Sequence, residues 1–168
     1  MNSMVIYASR YGNTRHVAEA IAEVLGTHGT VLLMAVDDVF ALPPAGIDLL
    51  VVGCPTEEHG MTEPVAQCFD RIGARAFQGK TIAAFDTRYR WPRWLSGSAG
   101  TAITRRLRRA RARVIAPPES FFVAGGINPT VSTAPVLESG ELDRARIWAG
   151  ALADAVEAGM PVAASKSR

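Results

Sequence analysis

The sequence is poor in cysteine: 168 residues contain two, Cys54 and Cys68. Two cysteines cannot staple a chain of this size, and they fit a reducing compartment. No basic stretch followed by a short apolar core opens the sequence, so no secretory leader is legible. No apolar run approaches the ~20 residues that a membrane span needs. Together these absences lead to the expectation of a cytoplasmic protein. The first polar turn, Ser9 to Thr14, also lacks two phosphate-binding patterns. It holds neither Gly-x-Gly-x-x-Gly nor Gly-Lys-Ser/Thr, so it is neither the dinucleotide fingerprint nor the Walker loop.

What is present is ordinary globular composition, 48% apolar and 20% charged, in a length that suits one domain with a proper core. Residues 1–160 are expected to form that domain and 161–168 a flexible, polar tail. Met4 to Ala8 reads as a first strand. Val17, Ile21, Val24 and Leu25 then recur at helical spacing. Val31 to Val36, Leu49 to Gly53 and Thr81 to Phe85 read as further strands. Val114 to Ala116 and Phe121 to Val123 read as a fifth, interrupted at Pro117-Pro118. Helical stripes separate them: Val65, Cys68, Phe69 and Ile72; then Ile103, Leu107 and Ala110, with Ser98 as N-cap; finally Leu142, Ala145, Ala149, Leu152 and Val156. Asp37 to Ile47 has room for a loop or a single helical turn. Gly125 to Gly140 is one long irregular stretch, a length at which loops become functional. Strands that are continuously apolar are buried on both faces. The pattern is therefore an α/β fold with a parallel sheet between two layers of helices. Cys68 lies on an apolar helix face and reads as core. Cys54 closes a strand and reads as inert rather than as a redox thiol.

Ser9-Arg10-Tyr11-Gly12-Asn13-Thr14 follows the first strand directly and opens the first helix. A helix start offers unpaired N–H groups and a partial positive charge, so an anion is stabilised there. Ser9 and Thr14 add hydroxyls, Asn13 an amide and Arg10 a charge. Gly12 lets the backbone curl close to a ligand. The plainer alternative is a polar turn with Asn13 or Thr14 as N-cap. Tyr7 to Thr14 closely resembles the FMN phosphate loop of the flavodoxin family, with Tyr11 in place of the usual Thr or Ser. The element order resembles that family over nearly the whole chain. The resemblance implies a three-layer, flavodoxin-like sandwich with a five-stranded parallel sheet in the order 2-1-3-4-5, and FMN as cofactor.

It also implies that the loops after the first, third and fourth strands converge on one crevice at the switch in strand order. After the third strand come Pro55, Thr56, Glu57, His59 and Gly60, which by resemblance flank the flavin ring. Glu57 is read equally well as an acid favouring a helix start. After the fourth come Asp86, Thr87, Arg88, Tyr89, Trp91 and Trp94. By resemblance one of these aromatics stacks on the ring. The departure is charge: Arg88, Arg90 and Arg93 stand where the family keeps an acidic or neutral loop, and they oppose a low potential.

Residues 88–113 contain nine arginines and no acid. They read either as a solvated helix face or as a docking surface for an acidic redox partner. The reading is an FMN-binding electron carrier between redox partners; the alternatives are an NAD(P)H-dependent reductase acting on a quinone or similar acceptor, and a flavin-free interaction module.

Overall fold

A computed structural model describes residues 1–41, 46–57, 60–125 and 134–162, without the side chains of Arg93 and Leu95. In chain order these form β1 (Asn2–Tyr7), α1 (Asn13–Thr27), β2 (Thr30–Ala35), β3 (Leu49–Pro55), α2 (Glu63–Ile72) and β4 (Thr81–Arg88). The short α3 (Arg93–Ser96), α4 (Ala99–Arg109), β5 (Arg113–Val114), β6 (Glu119–Ala124), β7 (Val136–Leu137) and α5 (Glu141–Glu157) complete the chain. Along β1 successive side chains enter opposite layers, as strand geometry requires. Val5 packs with Val17, Ile21 and Leu25 of α1 and Leu152 of α5. Met4 and Ile6 pack with Val65 and Phe69 of α2 and Ile103 and Leu107 of α4. The continuous apolar runs therefore reflect a sheet covered on both sides.

The strands lie in the order β2-β1-β3-β4-β6-β7, with β5 also on β4. β1 is parallel to β2 and β3, β3 to β4, and β4 to both β5 and β6. This is the expected 2-1-3-4-5 order, with the fifth strand in two pieces. Pro117-Pro118 separates them, and a proline cannot donate to a sheet ladder. The antiparallel β7 on β6 was not expected. It falls in the stretch read as irregular, and two residues are too few to show a period. After β2 a single 3₁₀ turn, Val36–Asp38, stands where a loop or one helical turn was expected. Ser98 caps α4 as read, accepting from the Thr101 N–H at 3.2 Å. The expected tail beyond Val162 lies outside the described residues.

One boundary is corrected. Asp86, Thr87 and Arg88 belong to β4, not to the loop after it. Asp86 is paired with Cys54 on one side and Ser120 on the other, and Thr87 with Pro55 and Phe121. Ladder bonds from two neighbours hold polar residues extended where propensity alone would end the strand.

Cys54 and Cys68 are free and buried. Burial pushes the Cys54 thiol up to about 12 and raises Cys68 in the same direction. Neither is a thiolate near neutral pH, so the inert reading of Cys54 agrees with its surroundings. Both are expected to react with a disulfide reagent only as the native state opens. Ellman kinetics in dilute urea should follow the unfolding equilibrium. Rapid labelling of native protein would show the thiols to be accessible.

Candidate flavin site

The turn after β1 ends at Gly12, which adopts φ 86° and precedes the first residue of α1. A positive φ strains any residue with a Cβ, which accounts for glycine here. Gly12, the N-cap, has no side chain to cap α1, and no acid stands in its first turn. The helix start thus keeps N–H groups and partial positive charge that a capping side chain would otherwise satisfy. Ser9 Oγ accepts from the Arg15 N–H at 3.3 Å, which curls the loop over the helix end. The alternative cap, Asn13, is engaged elsewhere. Its Nδ2 donates to the Pro135 carbonyl at 2.7 Å and its Oδ1 accepts from the Leu137 N–H at 3.1 Å. Asn13 therefore ties β7 to the loop through its side chain and leaves its backbone N–H for an anion.

Thr14 is buried and its hydroxyl lies 2.8 Å from that of Thr87 on β4. Two hydroxyls sharing one hydrogen bond leave one proton to donate elsewhere. The Thr56 N–H donates to the Thr87 carbonyl at 2.9 Å, which draws the second loop, after β3, against β4. Beyond it, Glu57 and Gly60 exchange backbone hydrogen bonds of 2.8 and 3.2 Å. His59 lies outside the described residues. Arg10 reaches Glu57 at 3.8 Å, both exposed, and its guanidinium also sits 5.4 Å from the Tyr11 ring centre.

Tyr89 and Trp91 stack with ring centres 5.5 Å apart. Tyr89 lines the crevice together with Ser9, Arg10, Tyr11, Asn13 and Thr14 of the first loop. Pro55, Thr56 and Glu57 of the second loop and Thr87 and Arg88 of β4 complete it, with Val123 and Pro135. Three of the expected site residues stand apart. Asp86 is fully buried, and its Oδ2 accepts from Ser98 Oγ at 2.5 Å and the Gly100 N–H at 2.9 Å. It therefore serves the start of α4. Trp91 backs Tyr89 rather than facing the crevice. Trp94 is 85% exposed.

Val123 and Pro135 were not read from the sequence. Val123 is the last residue but one of β6, and the switch rule applied to the fifth strand would have pointed to it. Pro135 is brought in by Asn13, a contact across 122 residues.

The arginines near the site are answered by carboxylates. Arg88 is buried, with Nε 3.9 Å from Asp86 Oδ1. Its Nη1 donates to the Trp91 carbonyl at 2.8 Å and to Ser96 Oγ at 3.0 Å, and its Nε to Ser120 Oγ at 3.2 Å. It thus braces the aromatic loop from beneath. Arg90 pairs with Glu138 at 2.8 Å and Glu141 at 3.7 Å. These pairings lessen the positive field expected at the ring.

Residues 5–89 match the flavodoxin family. The chain belongs to that family, one of flavin-binding redox proteins. Solved structures share the fold at low identity. A flavodoxin from the domain Archaea superposes with a TM-score of 0.71 at 21% identity, covering 94% of this chain and 99% of that one. A WrbA-like flavodoxin from Agrobacterium tumefaciens gives 0.65 at 19%, covering 94% and 98%. The rubredoxin oxygen:oxidoreductase of Desulfovibrio gigas gives 0.69 at 20%, covering 94% of this chain but 36% of that chain. No curated protein matches the sequence. The donor set fits a flavin nucleotide: an uncapped helix start and a hydroxyl pair suit a phosphate, and an aromatic wall suits a planar ring. No helix among the described residues is long and apolar enough to cross a membrane.

Proposed function

We propose that the chain binds FMN in this crevice and passes electrons between redox partners. FMN supplies the electron-transfer chemistry when bound, while the chain supplies binding, orientation and tuning. The observation that carries the reading is the uncapped, acid-free start of α1 in the same crevice as the Thr14–Thr87 hydroxyls and the Tyr89 ring. On this reading the first-turn N–H groups and the hydroxyls hold the phosphate. Pro55, Thr56 and Glu57 form one wall beside the ring and Tyr89 the other. Trp91 and Arg88 keep Tyr89 upright.

The visible spectrum of the purified protein tests the binding half: a yellow protein that takes up FMN stoichiometrically supports it. A colourless protein that cannot be reconstituted favours a flavin-free module. Steady NAD(P)H oxidation by the protein alone favours the reductase. Tyr89 is expected to quench bound flavin, and Tyr89→Ala should raise its fluorescence and weaken binding by about 1 kcal/mol. Trp94→Ala should leave both unchanged. Unaltered emission in Tyr89→Ala would remove the ring-stacking role.

Tyr11 and Arg10 line the crevice, and the loop after β4 exposes Arg90, Trp91 and Trp94. An acidic redox partner fits the Arg88–Arg113 segment, where Arg105, Arg108 and Arg109 are exposed with no carboxylate partner among the described residues, and positive charge there steers its approach. The transfer rate should fall as salt shortens the Debye length from ~10 Å at 0.1 M to ~3 Å at 1 M. A productive partner whose stopped-flow rate ignores salt would refute electrostatic docking.

A further inference from the structure

β2 stands at one end of the strand order and pairs with β1 alone among the described residues. Its outer edge therefore presents backbone N–H and C=O groups that no strand receives. Natural sheets guard such an edge with charge, proline or a bulge, because it is a template for pairing with another chain. Thr30–Ala35 holds no charge and no proline, and all six residues run in register with β1. Leu32 and Leu33 are 46% and 36% exposed. As neighbours in a strand they point to opposite faces, so the edge is apolar and open on both.

One face is open for a reason particular to this chain. α1, α2 and α4 lie in the connections from β1 to β2, β3 to β4 and β4 to β5. From β2 to β3 the regular structure among the described residues is the 3₁₀ turn Val36–Asp38. Met34 packs against the layer that holds Val36, Val39 and α2, and Leu32, two residues before it, shares that face. With no helix from this connection laid over it, Leu32 stays exposed, and so does Phe40, at 71%.

We propose that a second copy of the chain covers this edge, with β2 paired antiparallel to β2 about a two-fold axis at Leu33. Around that axis Leu33 meets Leu33, Leu32 meets Met34 and Val31 meets Ala35, each pair on its own face of the joined sheet. Every pair is apolar. Asp37 and Asp38, both exposed just beyond β2, then stand at opposite ends of the seam in the two copies. Parallel pairing would bring these acids together. The far end of the sheet is β7, two residues long. It is too short to receive β2, so copies do not add head to tail and the assembly closes at two. The carboxyl ends of the two sheets point in opposite directions, which leaves both crevices open. The proposal stands whether or not FMN is the cofactor.

A six-residue seam is smaller than the ~800 Å² per partner of a standard interface, so dissociation in the micromolar range is expected. Sedimentation velocity across that range tests it, on the full chain as purified and after FMN loading. A reversible monomer–dimer equilibrium is expected in both preparations. Leu33→Lys and Leu33→Glu should each raise the dissociation constant about tenfold or more, because like charges then face each other across the axis. An equal mixture of the two variants should recover the dimer, since lysine then faces glutamate. Circular dichroism and melting temperature unchanged from the parent exclude loss of fold. Ile147→Lys, at an exposed site on α5, should leave association unchanged. In the parent, amide exchange over residues 30–35 should slow as concentration rises. A protein that sediments as a monomer throughout would overturn the proposal. So would a dimer that persists in both Leu33 variants, a mixture that stays monomeric, or growth beyond two copies.

Discussion

Apoprotein is expected to bind FMN about a hundredfold to a thousandfold more tightly than riboflavin, a difference of about 3–4 kcal/mol. The two ligands differ only in the terminal phosphate, so the comparison isolates the start of α1. Each hydrogen bond to a charged group contributes about 1.5–3 kcal/mol. The uncapped first turn after Gly12 offers at least two N–H groups, and the Thr14–Thr87 pair offers a hydroxyl proton. Desolvation of the dianion offsets part of that sum. Within the set, Thr14→Val should weaken FMN by about 1–2 kcal/mol, and Thr14→Ser should restore most of it. Riboflavin affinity should hardly change in either variant. Titration of tryptophan or flavin fluorescence measures all six affinities. Equal affinity for the two flavins would remove the phosphate argument, whatever the ring contacts contribute.

The loop that carries this prediction was legible because its signal is local. A turn between an apolar strand and an amphipathic helix, rich in hydroxyls and holding one glycine, has few structures open to it. The strand order was legible for a related reason. Alternation of apolar strands and helical stripes admits few topologies, and the family resemblance selected among them. Long-range partnerships were not legible. Nothing near Asn13 in sequence shows that its amide serves Pro135 and Leu137. Nothing near Arg88 shows that its guanidinium turns inward to Ser120 and Ser96. Composition correctly counted nine arginines without an acid. It could not show that Asp70, Asp86, Glu138 and Glu141, all outside the segment or facing it across the sheet, answer several of them. The aromatic trio illustrates the same limit. Its spacing placed all three rings in one loop, but only the fold decides that Tyr89 faces the crevice while Trp94 faces solvent.

Gly53→Ala is expected to destabilise the protein by about 3 kcal/mol, the upper part of the usual range for an overpacked core. Gly53 is paired with Phe85 across β3 and β4. A Cβ placed on it would come within 2.1 Å of Phe85 Cζ and within 2.4 Å of two further ring carbons. The ring therefore lies flat over the glycine and uses the space that any side chain would need. It has little freedom to move away. Phe121 and Trp148 meet it edge-on, with centres 5.9 and 6.3 Å distant, and both belong to the layer beneath α1 and α5. Shifting the strand instead would disturb Cys54 and Pro55, the next two residues, and with them the wall of the crevice. Weakened FMN binding should accompany the loss of stability. A double-mutant cycle identifies the cause. Phe85→Leu alone should cost roughly 1–2 kcal/mol through lost aromatic contact and packing. In that background Gly53→Ala should cost less than half of what it costs in the parent. Urea unfolding monitored by circular dichroism gives the four free energies. If the two changes are additive, the clash with Phe85 is not what requires glycine at this position, and strand geometry at the crevice must be set by another contact.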